Sequence, residues 1–129
     1  MAKFGHKLLP GNIAVKDKEV LRGLMERRFA PILITIITEL AKEFGIMITE
    51  SYREKQHPND LHGTQPVRAL DLRSWAYSSE AEAYEIMQWV NQRWAYDFTR
   101  LHMQAAIIHK TNKGALHFHI QVHPNTRRR

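Results

Sequence analysis

A chain of 129 residues, 43% hydrophobic and 25% charged, can build one soluble globular core and is too short for two. It has no cysteine, which excludes disulfides, thiolate nucleophiles and cysteine-ligated zinc fingers and leaves His, Asp and Glu as metal donors. The formal charge of +6 suits an anionic partner without choosing one, particularly as Arg127-Arg128-Arg129 reads as a solvated tail.

The N-terminal Met-Ala-Lys-Phe-Gly-His-Lys-Leu-Leu-Pro carries positive charge but no apolar run of signal-peptide length, so cytoplasmic synthesis without a signal peptide is expected. Pro10-Gly11-Asn12 closes an extended lead-in. From Asp17 to Arg28 the residues Val20, Leu21, Leu24 and Met25 recur at helical spacing. Pro31 then opens a second helix that stops at Gly45; its Ile and Thr content also fits a strand, but its length and glycine stop favour helix. The apolar segment Ala30 to Ile37 is far shorter than the roughly 20 residues that cross a bilayer, and no membrane partner is expected.

Ile46 to Arg53 and Val67 to Arg73 alternate like strands on either side of a loop rich in Pro, Asn, Asp and Gly. Ser79 and Glu82 form a capping box for a third helix over Glu80 to Trp94, with Ala83, Met87, Val90 and Trp94 as its core stripe. Met103 to Lys110 and Ala115 to His123 make a hairpin around Thr111-Asn-Lys-Gly114. This order predicts an α+β fold, a largely antiparallel four-stranded sheet with helices on one face.

In the last strand Leu116, Phe118, Ile120 and Val122 alternate with His117, His119, Gln121 and His123, so the two sets occupy opposite faces. If the apolar rows of all strands share one face, Arg53, Asp71, His117 and His119 share the other. A His-x-His pair on a strand supports a metal site about as well as it supports a polar, solvent-facing row, and it needs further ligands to become one.

Those further donors lie in the stretch Glu50 to Arg73, where His62 ends a loop and Asp71 sits in Arg68-Ala-Leu-Asp-Leu-Arg73. The stretch resembles the zinc peptidases of the lysostaphin, D-alanyl-D-alanine metallopeptidase and sonic hedgehog group, whose signature is Ser-x-His-x-x-Gly-x-Ala-x-Asp followed much later by His, often as His-x-His. Ser51-Tyr-Arg53 is similar to that group's Gly-Tyr-Arg strand end. The likeness spans about Ile46 to Val122. It implies a hedgehog/D-Ala-D-Ala-peptidase-like fold and a Zn2+ held by His62, Asp71 and His119. It further implies that His117 assists the reaction beside the metal and that Arg53 holds a carboxylate or carbonyl of the substrate.

The expected enzyme is a zinc metallopeptidase, a hydrolase of the peptide stems of bacterial peptidoglycan, of the carboxypeptidase, endopeptidase or phage endolysin type. It would reach the cell wall on lysis and act as a monomer. The chain also departs from the pattern: Asp71 follows His62 by nine positions, two more than the signature, Asp60 and Val67 replace its Ser and Gly, and no carboxylate precedes His117 between Asn112 and Leu116. The general base therefore falls to His117, His109 or a distant carboxylate such as Glu54.

His109 shares the face of His117 only if the hairpin loop is odd in length. His6 and His57 read as surface residues, and His102 and His123 as rim residues. Two other classes compete. Leu116-His-Phe-His-Ile120 also resembles the metal-binding strand of HUH single-strand DNA nucleases, with Tyr84 as nucleophile, although that leaves His62 and Asp71 unexplained and nucleic acid is not the expected partner. A non-catalytic zinc-binding module would use Trp89, Trp94, Tyr96 and Phe98 as a stacking platform, a cluster that otherwise reads as core packing.

Overall fold

The computed structural model describes residues 8–73, 79–110 and 116–129. Asp17 caps α1 (Lys18–Glu26) by accepting from the Val20 N–H at 3.0 Å. Only Val20 of its apolar set is buried; Leu21 and Met25 are exposed, so the predicted stripe is wider than the face the helix buries. α2 (Pro31–Phe44) has Pro at its start and Gly45 as its stop. Gly45 adopts φ 75°, and a β-carbon there would collide with the carbonyls of Leu8 and Leu9, so only glycine ends the helix this way. That stop settles the segment as helix rather than strand. α3 (Glu80–Arg93) begins with Ser79 Oγ accepting from Glu82 N at 3.1 Å and buries Ala83, Ile86 and Val90, with Met87 only partly covered.

The fold is α+β, with a mostly antiparallel sheet of five strands rather than four. The additional strand, β1 (Ile13–Val15), runs parallel to β2 (Ile46–Glu50); at three residues it is too short to show a period in the sequence. β3 (Ala69–Arg73) lies antiparallel to β2. After α3 come β4 (Trp94–Ala95), β5 (Ala106–Lys110) and β6 (Leu116–Gln121), and the order across the sheet is β1-β2-β3-β6-β5. β6 is thus flanked on both sides. The turn expected over Thr111 to Gly114, like His6, lies outside the described residues.

Register divides the sheet into two chemical faces. Leu70 pairs with Ile120, Leu72 with Phe118, and Ile48 with Leu72. This row joins the buried residues of all three helices in one cluster, where Phe118 and Ile120 are each 1% exposed. Burying such a side chain contributes about 1.5–3 kcal/mol, which fixes β6 and so aims its alternate residues at the opposite face.

The C-terminal arginines are not a frayed tail. β7 (Arg127–Arg128) pairs antiparallel with β4, Arg128 bonds Glu39 of α2 through both guanidinium nitrogens, and its head lies 4.2 Å from the Trp94 ring centroid. The cation–π and backbone partners that order these residues are set by the fold and carry no local sequence signal.

Candidate metal centre

On the polar face, Asp71 of β3 stands directly opposite His119 of β6, and His119 opposite Ile107 of β5. His62 reaches the same point from a short 3-10 turn, Leu61–Gly63. Asp60 anchors that turn: buried itself, its Oδ1 accepts from His62 N at 3.1 Å, and its Oδ2 accepts from Gln56 N and from Arg53 Nε at 3.0 Å. Burial works against the Asp60 charge, but Arg53 and these backbone donors outweigh it and hold the carboxyl down to about 2. Gly63 lets the chain double back, since a β-carbon would lie 2.7 Å from Lys55 N and 2.8 Å from Arg53 O. After the turn, Gln65–Pro66 is cis, and Val67 pairs with Phe29 on the path into β3.

Three donor atoms converge on one point. His62 Nε2 lies 3.1 Å and His119 Nδ1 2.9 Å from the same oxygen, Asp71 Oδ1, and the three residues offer ligand atoms all within 4.8 Å of one another. The far nitrogen of each ring is committed: His62 Nδ1 donates to the Ser51 carbonyl at 2.9 Å, and His119 Nε2 to Gln121 Oε1 at 3.2 Å. Gln121 is oriented by its own donation to Gln104 O at 2.8 Å. A neutral imidazole that spends its N–H on the far side presents a lone pair on the near side. Two lone pairs and a carboxylate oxygen in van der Waals contact repel one another unless a cation stands among them, either a proton on each ring or a metal ion. The residues therefore fit a divalent ion: two imidazoles and one carboxylate are a common ligand set, each imidazole is braced by an outer hydrogen bond, and the two His–Asp donor distances stand near the spacing of about 3.3 Å that tetrahedral bonds of about 2.0–2.1 Å demand.

Charge distribution agrees. Burial opposes ionisation of Asp71, yet the hydrogen bonds and charges of His119 and His62 hold its carboxyl well below the usual carboxylate range. Burial opposes protonation of His62, which is 1% exposed, but Asp71 and the Ser51 carbonyl outweigh it and raise its pKa.

The other expected residues sort differently. His117 shares the face and pairs with Arg73 and His109, but it does not border the cleft of about 740 Å³ that opens onto Asp71 and His119; burial lowers its pKa. His109 does border it. Lys110 and Leu116 pair across five residues, an odd loop, so His109 shares the His117 face, and its ring centroid lies 5.7 Å from that of His119. Arg53 borders the cleft, but its Nε–NH2 edge grips Asp60, leaving NH1, 3.3 Å from Glu50, on the remaining side. Glu54 and His102 do not border the cleft; His57 and His123 do, His57 exposed and His123 tilted against Tyr96. Tyr84 is 42% exposed on α3, whose buried residues pack behind the apolar sheet face, so the sheet stands between it and the histidines. Trp94 and Tyr96 are buried, Phe98 is 39% exposed, and no shared platform forms.

Glu50 escaped the sequence reading. Strand alternation places it with Ile46 and Ile48, on the helix side, but an irregularity between Ile48 and Glu50 sets it opposite Asp71 instead. The same irregularity turns Ser51 the other way, its hydroxyl donating to Val20 O under α1.

No family model, no curated protein and no solved structure matches this chain.

Proposed function

We propose that the protein is a zinc-dependent peptidase of the hedgehog/D-Ala-D-Ala-peptidase type that hydrolyses peptide stems of bacterial peptidoglycan. The observation that supports it is the convergence of His62 Nε2 and His119 Nδ1 on Asp71 Oδ1, with each far ring nitrogen already committed. Zinc is the natural occupant of a His2Asp set, supplying Lewis acidity and lowering the pKa of its water to about 7.

The chain's own groups then divide the remaining work. Arg53, whose NH1 also donates to Glu50 Oε2, orients a carbonyl or carboxylate of the peptide with the second NH1 hydrogen. His109, exposed on the cleft wall beside His119 and one of the three candidates for general base, takes up and returns the proton. His117, set back from the cleft, tunes the charge around Asp71.

Metal analysis of the purified protein should find one zinc per chain, removed by chelator and absent in Asp71→Ala. Muropeptide cleavage should vanish in His62→Ala and persist in Tyr84→Phe. Protein without stoichiometric zinc would sink the proposal; zinc without cleavage would leave a binding module. Nicking of single-stranded DNA lost in Tyr84→Phe would favour the nuclease class.

A further inference from the structure

The metal cleft does not end at the metal. A second cavity of about 840 Å³ adjoins it, and the two share Lys55, Thr64, Arg68 and His123 as a common wall. Beyond that wall the lining turns apolar: Ala30, Pro31, Ile32, Pro66, Val122 and Pro124. Both volumes fall in the range of sites that enclose small molecules or peptide side chains, about 300–1,000 Å³.

Arg68 stands at the junction, and its surroundings are unlike those of the other arginines near the cleft. Arg53 is paired with Asp60 and Arg100 with Asp97. Arg68, half-buried, instead donates from Nε to the Val122 carbonyl at 2.8 Å and from NH2 to the Tyr96 hydroxyl at 3.4 Å, and has no carboxylate partner among the described residues. These bonds fix the guanidinium plane without neutralising it, and NH1 stays unspent. A guanidinium drawn partly out of water without a counter-ion is a prepared site for one, and its planar fork matches a carboxylate. Lys55, exposed and likewise without an ion pair among the described residues, adds positive charge to the same wall.

We propose that Arg68 recognises a free carboxylate within an extended peptide whose scissile bond lies at the metal and whose apolar portion occupies the second cavity. The inference rests on reading the first cavity as a peptide site. It names the substrate as a chain bearing an internal acidic group, with an apolar group farther from the cut, and so an endopeptidase substrate rather than a terminal dipeptide.

The test uses zinc-loaded full-length protein and rhodamine-labelled, amide-capped pentapeptides of alanine with Glu or Gln at the centre and Leu or Gly at one end, in both orientations. In one orientation, fluorescence anisotropy should show wild type binding the Glu peptide about tenfold tighter than the Gln peptide, a difference of about 1.4 kcal/mol, and the Leu peptide tighter than the Gly peptide. Arg68→Gln should lower the Glu affinity to the Gln level and leave Gln binding unchanged. A second measurement needs no variant: the Nε–Hε NMR signal of Arg68 in wild type should shift with the Glu peptide and stay in place with the Gln peptide. Absence of Glu preference in wild type, equal weakening of both peptides by Arg68→Gln in folded protein, or indifference to Leu overturns the inference. Cleavage followed by mass spectrometry in the same samples separates the two readings. Glu preference without cleavage upholds Arg68 and removes the peptidase, whereas cleavage without preference does the reverse.

Discussion

At the scale of single residues, the proposed metal centre depends as much on what stands behind the His62, Asp71 and His119 donors as on the donors themselves. Gln121 holds His119 Nε2 and is itself held by Gln104 O. Replacing it with Leu should weaken zinc binding about 10–100-fold while leaving the fold intact, as measured by competition with a chromogenic chelator; unchanged affinity would deny Gln121 this part. Protonation at the same point predicts how the metal-free protein responds to pH. His62 has a raised pKa, so its contribution to stability is complete below the unfolded value of about 6.5 and is lost as pH rises through the native one. Asp71 has a lowered pKa, so its contribution is present above about 4 and is lost as pH falls towards the native value. His117, lowered by burial, acts in the sense opposite to His62. In metal-free His117→Ala protein, thermal stability should therefore peak between about pH 4 and 6.5 and fall towards pH 8, and zinc should abolish the upper fall. A flat profile from pH 6 to 8 would count against a shared proton site. His119 is legible in the sequence because the period of two in Leu116-His-Phe-His-Ile120 leaves no choice of face once Phe118 is in the core. The Ser51 carbonyl is not legible, because a backbone acceptor has no residue type.

At the scale of elements, the decisive segment is the loop from Arg53 to Val67, which contains no long regular structure yet delivers a buried imidazole. Its closure relies on the Arg53–Asp60 pair and on the space kept clear by Gly63. Gly63→Ala meets the backbone of Lys55 and Arg53 as well as the Lys55 side chain, so the variant should lose about 1–3 kcal/mol of stability in urea titration and bind zinc more weakly, because the turn that aims His62 must shift. A fully stable Gly63→Ala with wild-type zinc affinity would contradict the tight packing. Helices and strands of this chain are largely legible from caps and periods: Asp17, Ser79 and Gly45 mark ends that the structure reproduces. Two things are not. β1 is formed by pairing with β2 and by Val15 packing on the core, and the irregularity before Glu50 depends on the partner strand, so neither leaves a local pattern.

At the scale of the whole molecule, the C-terminus closes the structure instead of trailing from it. Thr126 donates to the Tyr96 carbonyl, β7 pairs with β4, and Arg129 donates from Nε to Asn91 O at the end of α3. Deleting residues 127–129 should cost about 1–2 kcal/mol in unfolding free energy and leave zinc stoichiometry untouched; an unaltered urea midpoint would mean these contacts contribute nothing. The proposed metal centre has the wider reach. Asp71 lies 9 positions from His62 and 48 from His119, so an ion held by all three bridges distant parts of a chain that has no sulfur cross-link. Such an ion binds the folded chain and leaves on unfolding, so it stabilises by its binding free energy, about 4 kcal/mol at a thousandfold excess over Kd. Chelation would then withdraw that free energy: the stripped protein should open more often and be cut faster by proteases, even where its folded shape is unchanged.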